Sequence, residues 1–169
     1  MNMKISAVIL MACLLFLSGC GIVGNSGGDT SLTVSPTAPP LLTVDIGQML
    51  TAEQVSAALG REVGPADIYE SSTIARYTAV SGNEFVELLI EDALRADFDE
   101  MLEEFEVPPV DAPNLGDASK WIGGEDGTGY LFCYGKNRMI QITVSDGSLS
   151  DGQRLTCARQ LAAIILEKM

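Results

Sequence analysis

Thr128-Gly129-Tyr130-Leu131-Phe132-Cys133-Tyr134-Gly135-Lys136-Asn137-Arg138-Met139-Ile140-Gln141-Ile142-Thr143-Val144-Ser145 carries the clearest sheet signal in this chain of 169 residues. Two runs rich in β-branched and aromatic residues flank the two-residue loop Lys136-Asn137, the pattern of a β-hairpin. That loop length sets the register, so Cys133 faces Ile140 and Leu131 faces Ile142. Side chains alternate across a strand, which puts Leu131, Cys133, Ile140, Ile142 and Val144 on one face. Tyr130, Phe132, Tyr134, Met139 and Gln141 fall on the other. In the upstream strand Glu84–Ile90, Val86, Leu88 and Ile90 point one way and Phe85 and Leu89 the other, so a sheet covered on both sides is expected.

Working outward, the next segment is a long helix from about Asp151 to Lys168. Ser150 and Gln153 form a capping box at its head, and Asp151 complements the positive helix end. Leu155, Ala158, Leu161, Ala162, Ile165 and Leu166 make its buried stripe. Upstream, Thr73–Val80 and Glu84–Ile90 flank Ser81-Gly82-Asn83 and predict a first hairpin. A helix over about Asp92–Glu106 follows, with Leu94, Phe98, Met101, Leu102 and Phe105 at helical spacing. Its acidic residues, from Asp92 to Glu106, read as a solvated face because helical projection spreads them. Val107-Pro108-Pro109 ends that helix. Near the start of the fold, Thr51 and Gln54 cap a helix over Ala52–Leu59 that stops at Gly60. The irregular stretch 107–127 hides a strand around Ser119–Ile122. The expected class is α+β: an antiparallel sheet of four to five strands, from two hairpins, with three helices packed on it in the order α-β-β-α-(β)-β-β-α.

Charge and composition bound the function. Ten basic and 23 acidic residues give a net charge of −13. Such a chain repels phosphate backbones, so no nucleic acid is expected as a partner. There is no histidine, which removes the usual neutral-pH base and the commonest metal ligand. The sequence has no Gly-x-Ser-x-Gly elbow, no Walker loop and no dinucleotide-binding glycine pattern. Asp146–Gly152 departs from a calcium loop, its glycine one place late and Cys157 where a glutamate is needed. Glu125 and Asp126 sit in a Gly-rich turn. No catalytic residue, metal or cofactor is therefore expected.

Near the N-terminus, Lys4 precedes an apolar run from Ile5 to Leu17, shorter than the about 20 residues a bilayer span needs. Leu17-Ser18-Gly19-Cys20 follows and resembles the lipobox of bacterial lipoprotein precursors, which implies cleavage before Cys20 and acylation of its thiol. Residues 1–19 then form the signal peptide, and 20–40 form the lipidated cysteine with a flexible tether rich in Gly, Ser, Thr and Pro. Residues 41–169 form one globular domain. Such a tether reaches roughly 22–27 Å r.m.s.. The expected location is the cell membrane, lipid-anchored and facing outside the cytoplasm, in the outer membrane if the source is Gram-negative. In an oxidising compartment Cys133 and Cys157 are the natural pair for a disulfide.

Leu50-Thr51-Ala52-Glu53-Gln54-Val55, the later Leu59-Gly60 and Gly116-Asp117-Ala118 are similar to motifs of small actinobacterial-type surface lipoproteins of unknown function. The resemblance implies a terminal hairpin followed by an Ala/Leu-rich helix, and it supplies no catalytic residue. Many members carry a cysteine just before the first helix, where this chain has Gln48 and Met49. The remaining site reading concerns aromatics. Tyr130, Phe132 and Tyr134, with the only tryptophan, Trp121, either form a stacking surface for a sugar, peptide or lipid headgroup or are a second core layer under the second helix. Trp121, in the irregular stretch, is expected to stay available. The leading expectation is a non-enzymatic, membrane-anchored binding or accessory domain for an envelope protein or small ligand. A carboxylate-based cell-wall hydrolase and a structural subunit of an envelope complex are the alternatives.

Overall fold

A computed structural model describes residues 45–69 and 73–169. The lipobox, Cys20 and the tether lie outside the described residues. Among the described residues, seven strands form one antiparallel sheet, and three α-helices accompany it. In chain order these are α1 (Ala52–Leu59), β1 (Asp67–Tyr69), β2 (Ile74–Thr78), β3 (Phe85–Asp92), α2 (Arg95–Glu103), β4 (Val110–Asp111), β5 (Ala118–Gly123), β6 (Thr128–Gly135), β7 (Arg138–Ser145) and α3 (Asp151–Lys168). The sheet order is β1-β2-β3-β7-β6-β5-β4. The α+β class stands, while four to five strands become seven.

The β6–β7 hairpin has the register read from its loop length: Cys133 opposite Ile140 and Leu131 opposite Ile142. Lys136 and Asn137 both adopt positive φ, which matches the right-handed twist of the flanking strands. The first hairpin pairs Thr78 with Phe85, and β3 then pairs with β7, bringing Val86 opposite Val144 and Leu88 opposite Ile142. This β3–β7 pairing merges the two hairpins. The additional strands β1 and β4 are two or three residues long and largely exposed, the usual form of a protected sheet edge.

The larger core lies on the Leu131–Ile142 face, where Val55 and Leu59 of α1 meet Ala158, Leu161, Ala162 and Ile165 of α3. The Thr51–Gln54 capping box forms in both directions, and Gly60 ends α1 at φ 76°. On the opposite face α2 drives Phe98 and Leu102 against Ile122, Phe132, Tyr134 and Met139. The second helix is shorter than its predicted Asp92–Glu106. Strand β3 continues through Asp92, and the helix begins where Asp97 Oδ2 accepts from the Leu94 amide at 3.1 Å.

The expected Cys133–Cys157 bridge is absent: both are free, buried thiols in the larger core. The register of α3 on β6 explains this. A side chain at Gly123, cross-strand from Gly129, would meet Asp151, and one at Gly135 would touch Leu166. The stretch 129–135 spans about 20 Å as strand and 151–166 about 22 Å as helix. The two elements therefore run nearly in step, Cys133 falls level with Leu161, and Cys157 lies about one helical turn (5.4 Å) short of it.

Candidate functional site

The structure separates the four aromatics proposed as one surface. Trp121 pairs with Leu131, so strand alternation sends its indole to the larger core face, opposite Tyr130, Phe132 and Tyr134. Phe132 and Tyr134 are buried under α2, with the Phe98–Tyr134 centroids 5.7 Å apart and Phe105–Phe132 at 5.3 Å. Tyr130 stays half-buried at the edge of this cluster. Burial raises its hydroxyl pKa, and Asp126 and Glu87 add to the rise. The reading of these aromatics as a second core layer is the one realised, and the open stacking surface is corrected. Trp121 is not the available residue expected either, since only 2% of it is exposed. The signal was its parity with Ser119 in a strand whose register on β6 no tight turn fixed.

Trp121 nonetheless floors a surface cleft of about 470 Å³, lined by Val107, Pro108, Val110, Gly123, Gly124, Glu125, Leu149, Ser150, Asp151 and Arg154. Two paired glycines make room for it. A Cβ on Gly129 would clash with the indole, and one on Gly123 would clash with the Asp151 carboxylate. The indole Nε1 donates to both Asp151 oxygens, at 3.2 and 3.0 Å. Asp151 is the first residue of α3, where the helix dipole favours a carboxylate. Gln153 Oε1 accepts from Ser150 N at 2.9 Å and from Ser150 Oγ at 2.8 Å, fixing the turn into the helix.

Beneath this wall Arg154 is withdrawn from solvent and spent on backbone. Its Nη1 donates to Leu149 O at 2.8 Å, its Nη2 donates to Gly124 O at 3.2 Å, and Asp151 lies 3.4 Å away. It therefore ties the Gly123-Gly124 loop to the head of α3. Asp146, at the head of the stretch that departs from a calcium loop, is also buried. Its Oδ1 accepts from Ser148 N at 2.8 Å and Oγ at 2.7 Å, while Arg61 Nη2 pairs with Oδ2 at 2.8 Å. Arg61 in turn reaches Glu84 at 3.0 Å. Asp146 thus pins the 146–150 turn, the cleft's far wall, to the end of α1 and to the first hairpin.

The opposite wall is the segment Val107-Pro108-Pro109-Val110, with Val107 52% and Val110 55% exposed. Proline fixes φ and lacks an N–H, so this wall is stiff and the β4–β5 ladder runs only from Val110 onward. Glu125, on the rim, is exposed. Cys133 and Cys157 take no part: burial raises each thiol pKa to about 12, leaving them protonated and unreactive at neutral pH. Among the described residues no group of three His, Cys, Asp or Glu side chains could hold a metal ion, and no helix is long and apolar enough to cross a membrane. No protein-family profile, curated protein or solved structure matches the chain.

Proposed function

We propose that the chain is a lipoprotein anchored through acylated Cys20, whose tethered domain is a non-enzymatic binding or accessory module outside the cytoplasm. The observation that carries the binding part is the cleft at the head of α3, which exposed Val107 and Val110 line together with Trp121. Apolar side chains flanking a concavity with a few fixed polar groups are the usual composition of a recognition site. The anchor rests on the lipobox motif. A photo-crosslinking residue at Val110 in intact cells tests the cleft, with Ser81, in the first hairpin's turn, as the control position. Adducts at Val110 and none at Ser81 are expected; equal labelling refutes the cleft as the binding surface. Metabolic labelling with a palmitate analogue is expected to tag the protein and to be lost in Cys20→Ala; no label on the unaltered protein refutes the anchor.

One observation favours a second reading. Glu125 and Asp151 line the same cleft, and paired carboxylates are the apparatus of glycoside hydrolysis. Against it, Asp151 is already engaged by Trp121 and Arg154. Glycan hydrolysis abolished by Glu125→Gln would move the assignment to the enzyme.

A further inference from the structure

The binding reading leaves the chemistry of the occupant open, and the charges around the cleft narrow it. We infer that the cleft takes an extended segment of a partner polypeptide carrying a Lys or Arg beside an apolar side chain. This inference rests on the binding function proposed for the cleft. Its sign of charge comes from how the three ionisable residues lining the cleft are displayed. Asp151 is 54% exposed at the side chain and Glu125 is exposed, whereas the Arg154 side chain is 7% exposed and its guanidinium faces carbonyl oxygens. An arriving group meets the exposed Glu125 carboxylate and the open side of Asp151, which Trp121 and Arg154 hold from beneath, and no accessible cation. Asp126 follows Glu125 in the same turn, and the whole chain carries −13, so the long-range field steers cations towards the cleft as well.

The form of the occupant follows from the walls. Val107 and Val110 offer apolar contact on a strip that Pro108 and Pro109 stiffen, so little entropy is lost when a partner lies along it. Strand β4 ends the sheet order, and no described strand lies beyond it. The Ala112 amide bonds inward to Ser119 O at 3.2 Å, so alternation turns the Asp111 amide and carbonyl off the edge. An extended peptide can add there by main-chain pairing, with its side chains reaching the cleft. A cleft of about 470 Å³ lies in the range of small-ligand sites and accepts a side chain or two.

Trp121 is the only tryptophan and floors the cleft, so its emission reports occupancy. The full-length chain in detergent is titrated with a capped peptide alternating Val and Lys, and with its counterpart carrying Glu for Lys. The Lys peptide is expected to shift Trp121 emission saturably and to bind at least tenfold more tightly than the Glu peptide. Glu125→Gln, an exposed change that leaves the fold intact, is expected to weaken it about threefold, the worth of one exposed ion pair. Equal or tighter binding of the Glu peptide overturns the cationic inference while the binding function stands. If neither peptide moves Trp121 up to millimolar concentration, the inference fails, and Val110 crosslinking alone then decides whether the cleft binds anything.

Discussion

Replacing Asp146 with alanine strikes the joint between the cleft wall and the body of the domain. Its carboxylate is enclosed, with 0% of the side chain exposed, and it holds Arg61 at 2.8 Å and both donors of Ser148. Hydrogen bonds to a charged group contribute about 1.5–3 kcal/mol each, and removing one partner of a buried ion pair costs about 3–5 kcal/mol. Arg61 is 30% exposed and keeps Glu84, so it rehydrates in part and the cost falls at the lower end, about 3 kcal/mol. Asp146→Asn preserves the acceptor for Ser148 and loses the charge, at a cost of about 1–2 kcal/mol. In urea unfolding at neutral pH, with a slope of about 1.5 kcal/mol/M, the alanine midpoint drops by about 2 M and the asparagine midpoint by about 1 M. A double-mutant cycle with Arg61→Ala is expected to show coupling above about 0.5 kcal/mol. An Asp146→Ala midpoint within about 0.5 M of the parent refutes the argument, because a buried, paired carboxylate cannot be that cheap to lose.

Two further outcomes follow from the same geometry. Gly129→Ala is expected to push the Trp121 indole off its seat, destabilising by about 1–3 kcal/mol as overpacking does and shifting Trp121 emission; an unchanged midpoint and spectrum would remove the indole contact. The buried thiols give a pH dependence. Cys133 and Cys157 hold their protons to about pH 12 in the folded domain, whereas an unfolded thiol loses its own near pH 8.5. Their contribution is therefore complete below about pH 8.5 and is lost as pH rises towards 12. Native protein is expected to resist thiol reagents at pH 8 and to react at both positions once unfolded without reductant. The Cys133→Ala/Cys157→Ala variant is expected to lose stability less steeply above about pH 9. Rapid native labelling, or parallel alkaline slopes, would contradict this.

Sequence alone determined the elements whose causes are local. The Lys136-Asn137 loop fixed the β6–β7 register because a two-residue turn allows one pairing. The capping residues Thr51, Gln54, Ser150 and Gln153 set the starts of α1 and α3, and α3 has the span Asp151–Lys168 expected of it. Alternation sorted Leu131 and Cys133 from Phe132 and Tyr134 correctly. Tertiary structure decided whatever depended on partners distant in sequence. Strands β1 and β4 carry no period-two pattern in two or three exposed residues and exist only because a neighbouring strand offers its edge. Trp121 turned inward because β5 aligned it with Leu131, a register that the 124–127 connection does not impose. Asp146 looks like any turn acid until Arg61, more than eighty residues earlier, is folded against it. The cleft is wholly of this kind. Its walls come from 107–110, 121–125 and 149–154, and nothing local in those segments requires them to meet; the burial of α2 and α3 on opposite faces of one sheet brings them together.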